Sequence, residues 1–333
     1  MLFLDRQDVI ALLPIADCIA AVERAFAAHA AGELPIAPGV LGAHVEGGGF
    51  HIKTAALGSN PGYFAAKINA NFPANPDRHG LPTIQGVIGL FDTSNGRVLA
   101  LLDSIEITTL RTAAASAVAA RHLARANAGT IAICGCGIQG RAHLRALLQV
   151  RKLQRFIAYD RELARARQFA SDMAQETGID ITPTENLADA VQSSDICVTC
   201  TPAREPLIAA EHLRPGQFFA AVGADSEEKQ EFEPEALRRA LVVPDIVAQA
   251  ASIGELHHAI AAGLMKATDV HADLGQVVAG TRPGRTSDDQ IFIFDSTGTA
   301  LQDVAAAAIV FERAMQAGRG RKLSLTCQSG SDD

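Results

Sequence analysis

The chain has 333 residues, of which 48% are hydrophobic and 20% charged, which is typical of a globular protein of more than one domain. With 37 acidic and 29 basic residues its net charge is −8, which excludes electrostatic attraction to a nucleic acid or an anionic bilayer. Six cysteines are too few for a secreted disulfide scaffold, and no uncharged apolar stretch of roughly 18 residues predicts a membrane span. We therefore expect a cytoplasmic protein.

The first part of the chain predicts a domain that mixes helices with antiparallel strands. Apolar residues recur at helical spacing from Leu12 to His29, which predicts an amphipathic helix. Short alternating segments follow between Gly42 and Ala70. Two further strands, Thr83 to Phe91 and Val98 to Leu102, flank a turn that contains Asn95-Gly96. Because this turn is typical of a hairpin, we expect antiparallel pairing here.

An Ala-rich helix is predicted next, from Leu110 to Ala126, with Thr108-Thr109 as its cap. Apolar runs then alternate with helical stretches, which is typical of βαβ units around a parallel sheet. The predicted strands are Ile131 to Cys134, Phe156 to Tyr159, Ile196 to Thr199, Phe218 to Val222, Leu241 to Val243 and Ile291 to Phe294. A final helix is expected from Leu301 to Ala317. We therefore predict an α/β protein with an α+β domain over residues 1–118 and a parallel-sheet domain over residues 119–300.

The first of these parallel strands runs into Gly135-x-Gly137-x-x-Gly140 and then into a helix. Each glycine has a physical task, since Gly135 permits a tight turn and Gly137 lets the backbone approach a pyrophosphate. Gly140 lets the helix pack closely on the strand. The helix N-terminus then presents N–H groups and a partial positive charge to the phosphates. The pattern predicts a Rossmann dinucleotide-binding domain.

An acidic residue stands where such domains bind the adenosine ribose. Asp160 ends the second predicted strand about 20 residues after Gly140, where a carboxylate accepts hydrogen bonds from the ribose hydroxyls. Its charge would repel a 2′-phosphate, so NAD(H) is favoured as the cofactor. Because Arg161 follows directly, NADP(H) remains an alternative.

Three charged residues are candidates for a substrate site. Arg111, in the predicted first turn of its helix, opposes the helix dipole at a cost of about 0.3–1 kcal/mol, which an anionic ligand would offset. Lys67 lies in an otherwise apolar strand, where it either reaches water or meets an anion. A plain surface role is the alternative for both. Asp225 follows a strand at the edge where α/β folds bind ligands. It is either an acid or base or a helix N-cap, since Ser226-Glu227-Glu228 looks like the start of a helix or turn.

No metal site is expected. His257 and His258 are adjacent, so they point in different directions on a helix, and Cys197-x-x-Cys200 has no second pair at zinc-finger spacing. The sequence therefore gives no support to metal or thiol chemistry.

Five blocks in order along the chain resemble the ornithine cyclodeaminase/mu-crystallin family. They are Gly80-Leu81-Pro82-Thr83, Thr109-Leu110-Arg111-Thr112-Ala113-Ala114, the glycine turn, Ala221-Val222-Gly223-Ala224-Asp225 and Phe294-Asp295-Ser296-Thr297-Gly298. The resemblance implies that residues 301–333 complete the α+β domain, which binds substrate and forms a homodimer. It also implies that Lys67 and Arg111 hold a substrate carboxylate and that Asp225 is the catalytic acid/base.

The same resemblance implies further site residues. Lys53 and Thr297 would line the substrate site. The positions that would line the cofactor, besides the three glycines, are Thr83, Arg111, Ile138, Gln139, Asp160, Thr201, Phe219, Ala220, Ala221, Val222, Lys229 and Ser296.

The sequence departs from the cyclodeaminase pattern at one place. Ornithine cyclodeaminases carry a further substrate-binding arginine and a glutamate in the strands before the lysine that Lys67 matches. Here no arginine occurs between Arg24 and Arg78, and Lys53 occupies the region of that glutamate. A lysine repels the distal ammonium of a diamino acid, so ornithine is not expected as the substrate.

The expected function is the NAD(H)-dependent reduction of a small 2-imino acid or cyclic imino acid to the L-amino acid. Expected substrates are the imines of pyruvate or oxaloacetate, and pyrroline-2-carboxylate. Lys67 and Arg111 would orient the carboxylate, and Asp225 would manage the proton on nitrogen. One alternative is a cyclodeaminase that releases ammonia and uses NAD catalytically. The other is a protein of the mu-crystallin type that holds a nicotinamide cofactor or small ligand without turnover.

Overall fold

The computed structural model describes residues 1–58 and 61–325, and the chain forms two compact units. The first contains residues 1–21, 33–108 and the chain from Ala300 onward, and the second contains residues 22–32 and 109–299. Residues 326–333, which we expected in the first domain, lie outside the described residues. Each unit has its own sheet.

The first part of the chain contains both strands and helices. Its elements are β1 (Leu2–Leu4), α1 (Arg6–Leu12), α2 (Ile15–Ala30), β2 (Gly39–Val45), β3 (Gly48–Leu57), β4 (Tyr63–Asn71), α3 (Asn75–His79), β5 (Ile84–Asp92), β6 (Val98–Asp103) and α4 (Ser104–Leu123).

Strands and helices alternate through most of the remainder. The elements are β7 (Thr130–Cys134), α5 (Ile138–Leu148), β8 (Arg155–Tyr159), α6 (Leu163–Thr177), β9 (Ile181–Thr184), α7 (Leu187–Gln192), β10 (Ile196–Thr199), β11 (Phe218–Ala221), α8 (Pro234–Arg238), β12 (Leu241–Pro244), α9 (Val247–Ile253), α10 (Glu255–Ala261), α11 (Leu274–Val278), β13 (Phe292–Asp295), α12 (Ala300–Ala317) and β14 (Arg321–Lys322). In the part of the chain that the structure describes, no helix is both long and apolar enough to cross a bilayer.

The first unit has a mixed sheet in the order β14-β1-β6-β5-β4-β3-β2. Strands β2 to β6 pair antiparallel, whereas β1 pairs parallel with β6. Helix α12 packs on β3 and β4, and its row of buried alanines allows close approach to the sheet. This is the α+β arrangement that the strand and turn pattern predicts.

The second unit has a parallel sheet in the order β12-β13-β11-β10-β7-β8-β9. The chain moves from β7 to β8 and β9 on one side, then returns to β10 and β11 on the other. In such a sheet the loops at the carboxyl ends beside the reversal form the ligand site. The glycine turn follows β7 at this place. The α/β fold class with a Rossmann domain is therefore confirmed.

The helix that carries Arg111 begins earlier than its sequence predicts. Asp103 accepts hydrogen bonds from two backbone amides of the first turn, at 2.9 and 3.1 Å, and so caps a helix that begins at Ser104. Thr109 lies inside this helix, so the predicted start at Leu110 is wrong. Because Arg111 lies beyond the first turn, the predicted cost of opposing the helix dipole does not apply.

Candidate active site

The glycine turn after β7 has a backbone that side chains would obstruct. Gly135 has φ +107°, and a Cβ there would lie 2.9 Å from the carbonyl oxygen of Cys200. At Gly140 a Cβ would lie 3.0 Å from Ile133 Cγ2, so its absence lets α5 pack on β7. By contrast, nothing lies within 4 Å of a Cβ built at Gly137, the N-cap of α5. The turn therefore leaves an open approach to the first amides of α5.

Asp160 follows β8 and contacts this turn. Its Oδ2 accepts a hydrogen bond from the Cys136 amide at 3.0 Å. Burial, with the nearby Asp160 charge as a smaller cause, raises the pKa of the Cys136 thiol to about 12, so this cysteine is not a reactive thiolate. Within residues 1–58 and 61–325, no group of three His, Cys, Asp or Glu side chains could hold a metal ion.

Two buried polar atoms in the second unit suit a bound molecule. Gln139 Oε1 lies at the start of α5, and Ser296 Oγ follows β13 at the carboxyl edge of the sheet. Neither atom has a hydrogen-bond partner among the described residues. Buried polar groups normally have partners, so both atoms are suited to a ligand that supplies them. Both positions belong to the predicted cofactor set.

The predicted cofactor positions at the ends of β10 and β11 differ in burial. The Thr201 amide, just beyond β10, donates to a carboxylate oxygen of Glu231 at 2.7 Å. In β11 the Phe219 ring packs edge-on against Phe232, with centroids 5.7 Å apart in the core. Val222 follows the strand at its carboxyl edge. Of the predicted cofactor positions from Phe219 to Val222, the last ones therefore lie nearest this edge, whereas the Phe219 side chain lies in the core.

Asp225 lies in a turn beyond β11. The segment after it forms no helix, and α8 begins only at Pro234, so the alternative that Asp225 caps a helix is wrong. Its Oδ1 is 2.6 Å from Lys229 Nζ, and its side chain is 49% exposed. The Lys229 carbonyl in turn accepts a hydrogen bond from His258 Nε2 at 2.8 Å. Because solvent screens an exposed ion pair, the pair orients Asp225 more than it stabilises the fold.

Arg111 is buried against the loop that follows β13. Gly298 has φ +73°, which favours glycine, and a Cβ there would lie 2.5 Å from Arg111 Nη1, so the guanidinium lies close to the backbone of this loop. Thr297 Oγ1 donates to Asp245 Oδ1 at 2.7 Å and accepts from Gln249 Nε2 at 2.8 Å. Thr297 thus anchors the loop, and its contact with substrate stays a prediction.

Lys67 and Lys53 lie on the buried face of the first sheet. They stand directly opposite each other on β4 and β3, and both are buried. Lys67 Nζ is 2.7 Å from Asp303 Oδ2 of α12, and both side chains are at most 3% exposed. Like charges on facing positions repel, and the carboxylate of Asp303 offsets that repulsion. The predicted residue Thr83 lies just before β5 in the same unit.

Sequence reasoning missed two buried carboxylates, one beside Lys67 in the first unit and one in the second unit. Asp303 is the one acid among the buried residues of α12, which are otherwise alanine, valine, one leucine and one glutamine. Glu231 is fully buried under the loops after β10 and β11. The sequence could have identified Asp303, because an acid at a core position of an apolar helix indicates a buried partner or a ligand. Glu231 lies outside any regular element, so no spacing rule could have found it.

Comparison with known proteins decides the family. The model of the ornithine cyclodeaminase/mu-crystallin family matches residues 1–318. The chain belongs to this family. The resemblance carried by its five sequence blocks is therefore confirmed.

Solved structures of the ornithine cyclodeaminase/mu-crystallin family superpose over almost the whole chain. An archaeal alanine dehydrogenase dimer with bound NAD is 36% identical, with a TM-score of 0.93 and coverage of 98% of this chain and 99% of that one. A Thermococcus litoralis Δ1-pyrroline-2-carboxylate reductase with NADH and L-proline is 30% identical, with a TM-score of 0.92 and coverage of 97% and 100%. The Paracoccus denitrificans iminosuccinate reductase with NAD+ is 32% identical, with a TM-score of 0.90 and coverage of 98% and 99%.

Proposed function

We propose that this protein is an NAD(H)-dependent oxidoreductase that reduces a small 2-imino acid or cyclic imino acid to the L-amino acid. One observation carries the proposal. The glycine turn and Asp225 lie at the same edge of one parallel sheet, in a chain that aligns end to end with NAD-bound imine and amino acid oxidoreductases. The substrates that we propose are the imines of pyruvate or oxaloacetate, and pyrroline-2-carboxylate.

In this proposal the second unit binds the cofactor. The open turn at Gly137 and the first amides of α5 would hold the pyrophosphate, and the Asp160 carboxylate would accept the ribose hydroxyls. Gln139 Oε1 and Ser296 Oγ would gain the partners that the described residues do not give them. Bound NADH would supply the hydride. The charge of Asp160 makes NADH the preferred form over NADPH.

The substrate carboxylate would meet Lys67 and Arg111, both of which are buried cations. Lys53 directly opposite Lys67 argues against a diamino acid, because the distal ammonium would add a further positive charge to this face. A carboxylate would instead lower the repulsion between the two lysines. This charge balance favours imino acid reduction over cyclodeamination.

Asp225 would exchange the proton on the substrate nitrogen. Its turn beyond β11 exposes the carboxylate to solvent, which allows proton exchange with water between turnovers. Lys229 would hold the carboxylate in one direction through its 2.6 Å contact.

The proposal is tested by following NADH oxidation with pyruvate or oxaloacetate plus ammonia, and with pyrroline-2-carboxylate. We expect one NADH consumed per amino acid formed, and a lower kcat/KM with NADPH. L-Ornithine and L-lysine serve as the comparison. Release of ammonia from them without net change in NADH would establish the cyclodeaminase instead. Tight NADH binding with no turnover on any of these compounds would establish a binding protein.

We further propose that the protein is a homodimer formed through the outer face of the first sheet. Leu41, Ile68 and Val87 line up in register across β2, β4 and β5, with Ile52 of β3 between them. The first three side chains are 62%, 43% and 46% exposed. A contiguous exposed apolar row is typical of a protein interface, and the archaeal alanine dehydrogenase is a dimer.

We also propose that the enzyme works in the cytoplasm. The five described cysteines, Cys18, Cys134, Cys136, Cys197 and Cys200, are free thiols. Thiols persist in a reducing compartment, whereas paired cysteines are typical of secreted chains.

A further inference from the structure

A buried carboxylate joins the two loops that the proposed function uses. Glu231 Oε1 accepts a hydrogen bond from the Thr201 amide at 2.7 Å. Its Oε2 accepts from the Gly223 amide at 2.8 Å and from the Thr199 hydroxyl at 2.7 Å. Thr199 ends β10, and Gly223 follows the neighbouring strand β11. The carboxylate therefore holds together the ends of two adjacent strands and the loops that follow them.

The space for this carboxylate exists because residue 223 is glycine. A Cβ at Gly223 would overlap both the carboxyl carbon of Glu231 and the carbonyl oxygen of Thr201. The Asp225 amide donates to the Gly223 carbonyl at 3.2 Å. Glu231 thus fixes the beginning of the segment that carries the proposed acid/base.

Two further buried carboxylates hold the backbone around Glu231 through hydrogen bonds. Glu255 accepts hydrogen bonds from the amides of Glu231 and Phe232 at 2.7 and 3.1 Å. Asp295 accepts from the amides of Glu255 and Leu256 at 3.2 and 2.9 Å. Each carboxylate thereby holds the backbone of the next segment in place. The series ends at Glu231, whose own side chain reaches the loops.

Burying the Glu231 carboxylate costs free energy that a purely structural role would not require. Burial raises the pKa of the Glu231 carboxyl, so the interior disfavours its charged form. Among the described residues, no Lys, Arg or His nitrogen lies within 4.0 Å of this carboxylate. A buried acid without a cation costs free energy that an apolar side chain of similar volume would not. What the acid provides in return is an acceptor for two loop amides at once.

We propose that Glu231 is a positioning residue that sets the loops carrying Thr201 and Asp225 for cofactor binding and proton transfer. The inference rests on the proposed NAD(H)-dependent function. Glu231 acts only through the backbone of these loops.

The test is Glu231→Gln, because glutamine has one acceptor oxygen and cannot serve the amides of both Thr201 and Gly223. We expect the Kd for NADH, measured by cofactor fluorescence below the melting temperature, to rise roughly tenfold. We expect kcat to fall about 10- to 100-fold because the loops are misplaced, with substrate KM changed much less. Thr199→Val removes only the hydroxyl contact and should shift Kd and kcat in the same direction by less.

Asp195→Asn is the matched control. The Asp195 Oδ2 also accepts two backbone amides, those of Gly129 and Thr130 at 2.9 and 3.0 Å, but at the amino end of β10. This variant should lower the melting temperature while NADH Kd and kcat stay within about twofold of wild type.

A folded Glu231→Gln protein with wild-type Kd and kcat would overturn the proposal, as would an equal kinetic loss in Asp195→Asn. If Glu231→Gln does not fold, unchanged constants in Thr199→Val overturn it. A wild-type protein that neither binds nor oxidises NADH would instead refute the proposed function, and this inference with it.

Discussion

Asp225 and Lys229 face each other across one short turn, and this pairing gives Asp225 a defined orientation without burying it. Asp225→Asn keeps the size of the side chain but cannot exchange a proton. We expect kcat to fall roughly 10²- to 10⁴-fold while the melting temperature changes little, because no helix depends on this residue as a cap. Steady-state kinetics and thermal unfolding of the same preparation check this. Full activity of the asparagine variant would return the proton transfer to bound water.

Variants of the Lys67–Asp303 pair can distinguish a role of Lys67 in substrate binding from a role in stability. Lys67→Met takes this cation away from the buried Asp303 carboxylate, which we expect to cost about 3–5 kcal/mol of unfolding free energy. The double variant Lys67→Met/Asp303→Asn removes both charges and should recover most of that loss. We expect both proteins to use the carboxylate substrate poorly while still binding NADH.

Denaturant unfolding, substrate kinetics and NADH titration of the two variants give the three readouts. Wild-type kcat/KM in the double variant would show that Lys67 serves the fold alone.

At the level of elements, local sequence patterns predicted most of the helices and strands that depend on local sequence. The Rossmann strands, the glycine turn and the last Ala-rich helix follow from apolar periodicity and glycine spacing. The start of α4 was misplaced because two adjacent threonines look like a cap, whereas Asp103 at the end of β6 is the cap in the fold. Asp303 and Glu231 were missed because Lys67 lies more than 200 residues before Asp303 and Thr201 lies 30 residues before Glu231, and pairing at that range cannot be predicted from spacing.

Helices α4 and α5 are joined by a buried histidine that should make the fold acid-sensitive. His143 Nε2 accepts a hydrogen bond from Ser116 Oγ at 3.0 Å, and its Nδ1 donates to the Gln139 carbonyl at 2.8 Å. Burial lowers the pKa of His143 to about 4. In the unfolded chain His143 has an ordinary pKa of about 6.5, so below that pH the unfolded chain binds a proton that the native protein does not bind. The free energy of unfolding therefore decreases as pH falls from about 6.5 to 4.

The expected loss from His143 is roughly 3 kcal/mol across that interval. His143→Gln should be less stable at pH 7 but should show a correspondingly smaller fall towards pH 4. Urea unfolding at several pH values measures it, with His79→Gln on the exposed helix α3 as the control that keeps the wild-type slope. Equal slopes in all three proteins would contradict the assignment.

At the scale of the whole molecule, the apolar row on β2 to β5 predicts the oligomeric state. Ile68→Lys places a charge in the middle of that row, so we expect the mass in solution to fall from that of a dimer to that of a monomer. Light scattering after gel filtration measures the mass. Ile10→Lys, on α1 and 48% exposed, is the control that should remain dimeric. A dimer that persists in Ile68→Lys would place the interface elsewhere.

The first unit is assembled from segments far apart in the chain, and this has a consequence during synthesis. Strands β3 and β4 leave the ribosome long before α12, the helix that covers them and supplies the carboxylate for Lys67. At about 5–20 residues per second, more than ten seconds separate the two events. Throughout that interval the nascent sheet exposes an apolar face with two lysines lacking this counter-charge. The parallel-sheet unit can form first, because its residues all precede α12. The first unit, whose synthesis begins earlier, is therefore completed last.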